Sequence, residues 1–298
     1  MLTRRSVVAG GVLTSIGLLA AQALSLRGTW DHRRLNRPMG NPEPVGAPPR
    51  AGLLHIGHST HVIRLGGTQV LTDPWFHDPA FGALEHDQPP AHDIEQLSQC
   101  RVIAISHGHP DHFDPSALDR WTTKHSTRVL VGDAALLPRV RSLGFSQVEY
   151  MKIWDTFSLD GLRIHAVPAI HDVPEQGFVF EAGEGCVYFA GDTGEHSAFA
   201  AIAERFHPTF ALLPVDGGRL RGSKHRTLMP EQAVSAAQQL GVAAVSPSHA
   251  DAVFSDWIAE QLLVEHIVGA VEAFRQQLMQ RLPGVAFIAP RLGQWVTW

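Results

Sequence analysis

From Gly52 onward, short apolar runs alternate with polar turns and with longer stretches whose apolar residues recur every three or four positions. Runs at 53–56, 61–65 and 69–72 predict three strands, and Gly66-Gly67 between the last two is a two-residue hairpin signal. Residues 102–106 form a continuous apolar run that ends on a histidine-rich stretch. Further strands are predicted at 128–131, 156–159, 162–167, 178–181, 186–190, 210–214, 243–247, 286–288 and 294–298. A helix should start at Asp114-Pro115, with the aspartate as N-cap and proline at the first helical position. Helices are also expected at 197–206 and at 230–240, the latter stopped by Gly241. The longest predicted helix covers 257–281, with an apolar stripe of Leu263, Ile267, Ala270, Val271, Phe274 and Leu278. Hairpins first and strand–helix alternation later predict an α/β domain with two sheets over 51–298.

The first fifty residues follow another logic. Arg4 and Arg5 precede an acid-free apolar run from 7 to 23 that ends in Ala21-Gln22-Ala23, the three parts of an export signal. The adjacent arginines resemble a twin-arginine signal, the route of proteins exported already folded. The run has 17 residues, short of the roughly 20 that cross a bilayer comfortably, so residues 1–23 read as a signal peptide first and a membrane anchor second. Residues 24–50, rich in Pro and Arg, read as an extended arm. The expected location is the periplasm or cell envelope, with membrane association through the N-terminus as the variant.

Composition narrows the functions open to the chain. The net charge of −5 becomes −7 once residues 1–23, with two arginines and no acid, are removed. No polybasic block stands against it, which excludes nucleic acid as an expected partner, because such binding rests on Lys and Arg contacts to phosphate. Cys100 and Cys186 each sit in or beside an apolar run and read as buried thiols, a bridge staying open for an exported chain.

Eighteen histidines are many, and their clustering carries the chemistry. His107, His109, Asp111 and His112 fall in the stretch His107-Gly108-His109-Pro110-Asp111-His112, directly after a predicted strand. Imidazole nitrogen and carboxylate oxygen are donors that zinc accepts at about 2.0–2.2 Å. Three more such residues follow strand-like runs: His171 after 162–167, Asp192 after 186–190 and His249 after 243–247. Each alone is ordinary loop chemistry; Gly-Asp-x-Gly, for one, is common in turns. Their recurrence at strand ends, where sheet proteins gather ligands, points to a metal site.

These residues, in this order, resemble the metallo-β-lactamase superfamily over essentially 52–298. The segments Ile56-Gly57-His58-Ser59-Thr60, Leu71-Thr72-Asp73-Pro74, Ala190-Gly191-Asp192-Thr193-Gly194 and Pro247-Ser248-His249-Ala250-Asp251 are similar to the branch with L-ascorbate phosphate lactonases and N-acyl-phosphatidylethanolamine phospholipase D enzymes. The resemblance implies a four-layer αββα sandwich with two divalent metal ions, zinc by preference, at one edge. It assigns His107, His109 and His171 to one metal, and Asp111, His112 and His249 to the other, with Asp192 bridging. Asp73 would stand behind the ligands and orient them, and His58 would either do the same or be a buried, hydrogen-bonded structural histidine.

His109, where oxidoreductase relatives carry glutamate, matches the hydrolytic pattern. The implied activity is hydrolysis by a hydroxide held between two zinc ions, with Asp111 also orienting the nucleophile. The implied substrate is a small molecule or lipid, a phospholipid-like phosphodiester or a lactone. A metal-dependent oxidoreductase and a non-catalytic envelope metal- or ligand-binding protein are the alternatives. Related phospholipases carry a histidine two residues before the proline of the next helix. Here Leu228, or Thr227 if the loop shifts by one, takes that place, and His225 just upstream is a plain surface histidine or else the candidate proton donor or substrate contact. The aromatics of Trp75-Phe76-His77-Asp78-Pro79-Ala80-Phe81-Gly82 either border the pocket or pin their loop.

Overall fold

The computed structural model describes residues 49–298 except 184, 256–259 and 263. The expected signal segment 1–23 and nearly all of the arm 24–50 lie outside the described residues.

The first sheet contains β1 (Gly52–Gly57), β2 (Thr60–Leu65), β3 (Thr68–Thr72), β5 (Val102–Ile105), β6 (Arg128–Val131), β7 (Gln147–Tyr150) and β18 (Trp295–Val296), in the order β18-β1-β2-β3-β5-β6-β7. The second contains β8 (Thr156–Leu159), β9 (Leu162–Pro168), β10 (Gln176–Ala182), β11 (Gly185–Phe189), β12 (Phe210–Pro214), β14 (Ala244–Ser248) and β17 (Ala286–Phe287), in the order β17-β14-β12-β11-β10-β9-β8. Two small pairs lie outside them: β4 (Leu84–His86) with β15 (Ala252–Phe254), and β13 (Arg219–Leu220) with β16 (Val264–Glu265).

Side-chain alternation explains why several central strands read as continuous apolar runs: both faces are covered. On β5, Val102 and Ala104 face the second sheet while Ile103 and Ile105 face helices. On β10, Phe178 and Phe180 enter the inter-sheet layer while Val179 faces outward, and burying each such ring is worth about 1.5–3 kcal/mol. Helices α1 (Pro115–Asp119) and α2 (Leu136–Ser142) cover the first sheet with Ala117, Leu118, Leu136 and Val140. Helices α3 (Phe199–Phe206), α4 (Pro230–Leu240) and α5 (Ala270–Arg281) cover the second with Phe199, Ile202, Ala233, Val234, Phe274 and Leu278. The result is the expected αββα sandwich.

Local signals behave as their chemistry requires. The Asp114 side chain accepts from the Ala117 N–H at 3.0 Å and starts α1 behind Pro115. Gly241 stops α4 in the left-handed conformation, φ 67°. Cys100 and Cys186 are free and buried. The long helix expected over 257–281 is a correction. Val264–Glu265 is a strand, and Gly269 at φ 73° starts a shorter helix at Ala270. Its stripe survives as Ala270, Phe274 and Leu278, while Leu263 lies outside the described residues. Periodicity alone did not register that a glycine in the left-handed region interrupts the helical path. Among the described residues no helix is long and apolar enough to cross a membrane.

Candidate metal centre

Topology brings the candidate residues together. Strands β3 and β5 are parallel, as are β11, β12 and β14, so their C-terminal ends open on one edge. Antiparallel steps from β9 to β10 and from β10 to β11 turn the end of β9 the same way. Asp73 follows β3, His107 follows β5, His171 follows β9, Asp192 follows β11 and His249 follows β14. Residues distant in sequence thus meet where strand ends meet loops.

Among the described residues three groups of donor atoms form there, one of them, Asp73 with His107 and His112, overlapping two larger ones. His107, His109, His171 and Asp192 make one, with His171 Nε2 3.2 Å from His109 Nδ1. Asp111, His112 and His249 make the other, and His58 joins them. Asp192 Oδ2 lies 3.8 Å from His107 Nε2, 3.1 Å from His112 Nε2 and 3.0 Å from His249 Nε2, so one oxygen touches both groups. The Nε2 atoms of His107, His112 and His249 are buried and have no hydrogen-bond partner in the protein. Buried polar atoms are seldom left so, and converging imidazole nitrogens with carboxylates fit divalent metal ions.

The opposite ring nitrogens are held from behind. Asp73 Oδ2 takes His112 Nδ1 at 2.7 Å, and its carboxylate also accepts from Ser106 N–H at 2.7 Å and Ser106 O–H at 2.6 Å. His107 Nδ1 lies 2.9 Å from Ser106 Oγ and 3.3 Å from Glu175 Oε1. His249 Nδ1 stands 3.2 Å from Asp216 Oδ2, whose other oxygen accepts from Thr227 O–H at 2.6 Å. The hydrogen-bonded Nδ1 atoms of His112 and His107 aim their Nε2 atoms inward, while His249 Nδ1 has only the ion-pair contact with Asp216. Asp73 thus links the His112 ring to the backbone and side chain of Ser106. Glu175 and Asp216 were not singled out. Asp216 sits just past the end of β12, so the strand-end rule that found Asp192 would have found it. Glu175 precedes its strand, and only the fold shows that its carboxylate, wholly buried, receives the Asp192 N–H at 2.6 Å. Gly191 makes this approach possible, since a Cβ there would lie 2.3 Å from Glu175 Oε1.

Charge is unevenly spread over the centre. Burial and the neighbouring His112 hold the His107 imidazole down to about 4, and burial with His107 does the same to His109. Burial is the largest single influence on His112 and His249 and opposes their cationic form, but the surrounding carboxylates together outweigh it, Asp192 with Asp111 and Asp73 at His112 and Asp192 with Asp216 and Asp111 at His249, so both are raised. Burial pushes the Glu175 carboxyl up to about 8; His171 opposes the shift and Asp192 adds to it. A carboxyl whose folded value is raised keeps its proton while the unfolded chain has lost it, so stability falls as pH rises from about 4.5 to about 8. Metal-free Glu175→Gln should therefore lose less stability between pH 5 and pH 8 than metal-free wild type. Denaturant titrations at the two pH values measure this, and equal losses would refute it.

Residues 68–250 match the family model described as "Beta-lactamase superfamily domain". The chain belongs to this superfamily. Curated relatives include a UPF0173 metal-dependent hydrolase of Methanopyrus kandleri, 28% identical over 65% of this chain and 81% of its own. Another, from Pyrobaculum aerophilum, is 32% identical over the same shares. Among solved structures, a possible metal-dependent hydrolase from Veillonella parvula superposes with a TM-score of 0.69 at 18% identity, covering 84% of this chain and 100% of that one. An isothiocyanate hydrolase from Delia radicum gut bacteria gives 0.68 at 19%, covering 83% and 99%. At these identities the superpositions speak for the fold alone.

In this superfamily member the loop after Asp73 divides its labour. Trp75 is fully buried, stacks on His86 at 3.7 Å and donates its indole N–H to His77 O at 2.9 Å, so it pins the loop. The N–H groups of Phe76 and His77 donate to Asp114 Oδ2, tying the loop to the cap of α1. Phe81, by contrast, is 46% exposed and meets the edge of His109 at 5.3 Å, on the open side of the centre. His225 is half-buried and joins neither donor group; its backbone N–H donates to Asp172, next to His171. Leu228 is buried in the core, and Thr227 is the residue that holds Asp216.

Proposed function

We propose that this protein is a metal-dependent hydrolase with two zinc ions, acting on a phospholipid-like phosphodiester or a lactone as a member of the lactonase and phospholipase D branch. The observation that carries the reading is the pair of donor groups sharing Asp192 Oδ2, with partnerless imidazole nitrogens turned inward. Nitrogen and oxygen donors without thiolate suit zinc. When bound, such a metal pair lowers the pKa of water to near neutrality and draws charge from the scissile group.

The chain's own residues do the positioning. Asp73 and Ser106 hold the rings of His112 and His107 by hydrogen bonds, with Glu175 beside His107 and Asp216 beside His249 at ion-pair distance, so the donors are pre-positioned for loading. Asp111, buried in the second group, is placed to orient the attacking water. The fully buried strands beneath exclude solvent from the floor, while half-buried His109 and His171 and exposed Phe81 border the open side. An apolar substituent would lie against Phe81. His225, beside Asp172, is the candidate proton donor to a leaving group approaching from that side. Export through residues 1–23 favours a lipid or another envelope metabolite as substrate.

Metal analysis together with a panel of phosphodiesters, lactones and simple esters tests the reading. Two zinc equivalents, hydrolysis that stops on chelation, and recovery with zinc are expected, with phosphodiesters or lactones the best substrates. Iron with redox turnover would instead favour the oxidoreductase alternative. No hydrolysis of any compound by the zinc-loaded protein would favour a binding role.

A further inference from the structure

We propose that His58 is a direct metal ligand, completing with Asp111, His112 and His249 a four-donor protein cage around the second metal; this rests on the two-metal reading above. The resemblance only places His58 behind the ligands. The distances put it among them: Asp111 Oδ2 is 3.6 Å from His58 Nε2, 3.7 Å from His112 Nε2 and 3.7 Å from His249 Nε2. All four donor atoms lie within 4.8 Å of one another. Donors about 2.1 Å from a tetrahedral zinc stand about 3.4 Å apart, close to these three spacings. At 3.6 Å, His58 and Asp111 are too far apart for a hydrogen bond between them.

The independent observation is the state of the ring. His58 is buried, and neither of its nitrogens has a hydrogen-bond partner. A histidine kept only for packing or for steadying a ligand would spend at least one nitrogen on a protein acceptor. Behind the ring, a carboxylate faces Nδ1 at ion-pair rather than hydrogen-bond distance. Nδ1 lies 3.7 Å from Asp251 Oδ1, while Asp251 Oδ2 is fixed by His55 Nε2 at 2.8 Å. The ring sits between Trp75, edge-on at 5.2 Å, and His249 at 4.0 Å. The turn from β1 to β2 delivers it with His58 itself in the left-handed region, φ 53°, which a non-glycine residue adopts only under constraint. With Asp192 added, this half of the centre is closed by protein donors. Substrate must then enter over His109 and His171, the half-buried side.

The full chain, stripped of metal and titrated with zinc, tests this. His58→Ala should bind the first equivalent as wild type does and the second at least about 100-fold more weakly, the upper end of what residues behind a ligand cost. Asp251→Asn, which disturbs only the support, should weaken the second equivalent about tenfold. A crystal structure of the two-zinc wild type should place a zinc about 2.0–2.2 Å from a His58 ring nitrogen. That measurement decides the matter even if His58→Ala fails to fold. Two zinc ions with His58 out of coordinating distance, or unchanged binding in His58→Ala, would overturn the ligand role while leaving the two-metal reading intact. A wild type that takes up only one equivalent overturns both.

Discussion

Asp192→Ala is expected to lose both metal equivalents and all hydrolysis. One oxygen of this carboxylate stands 3.0–3.8 Å from imidazole nitrogens of both donor groups, so it is a side chain shared between them. Its removal takes a donor from each site and leaves His107, His112 and His249 converging without the charge that balances them. Substitutions behind a ligand already cost about 10–100-fold in affinity, and a shared ligand must cost more, at least about 100-fold for each equivalent. Asp192→Asn keeps the shape and a neutral oxygen, and should retain part of the affinity of one site. Zinc titration with parallel turnover measures both variants. Two equivalents bound by Asp192→Ala with wild-type affinity would remove the bridging role.

Gly132→Ala should be the most damaging alanine substitution among the described glycines. A Cβ at Gly132 would lie 2.0 Å from Ser106 O and 3.0 Å from Gln176 N. Both are backbone atoms hydrogen-bonded to each other at 3.2 Å, and Gly132 N–H itself donates to Ile105 O at 2.7 Å. No side-chain rotation relieves such contacts; β5 and β6 must part, or Ser106 must move. Overpacking costs about 1–3 kcal/mol and sometimes more, and a backbone clash belongs at or beyond the upper end, a fall in Tm of roughly 6–12 °C. Ser106 anchors Asp73 and meets His107, so metal affinity should fall with stability. Gly284→Ala, with open space around it, is the control and should change stability by less than about 0.5 kcal/mol. A Gly132→Ala protein that melts with wild type would mean that the strands yield there without strain.

Much of this frame is legible along the chain because both faces of the central strands are buried, which leaves unbroken apolar runs such as Val102–Ile105 and Phe210–Pro214. The elements that escaped reading are those whose residues are half-exposed or atypical. Strand β7 carries Gln147 and Glu149 at an edge, and α2 has Pro138 in its first turn, where proline is tolerated but reads as a breaker. The two small strand pairs have too few residues to show a period. In the centre, the ligand candidates stand out because imidazoles and carboxylates cluster after strands. Glu175, Asp216 and the inward position of His58 do not, because their meaning lies in partners 17, 33 and 53 residues away or more, Asp192, His249 and Asp111.

Along the sequence, periodicity determined an α/β domain with two sheets and donor chemistry the inventory of His and Asp, both local properties, while the superfamily and its sandwich came from the resemblance of the motifs. Only the tertiary structure decided which ring nitrogen faces inward, which carboxylates stand behind, and that His58 comes within 3.6 Å of Asp111 beside the second donor group. Those are matters of distance between strand ends far apart in the chain, and a metal site is set by where donors converge in space.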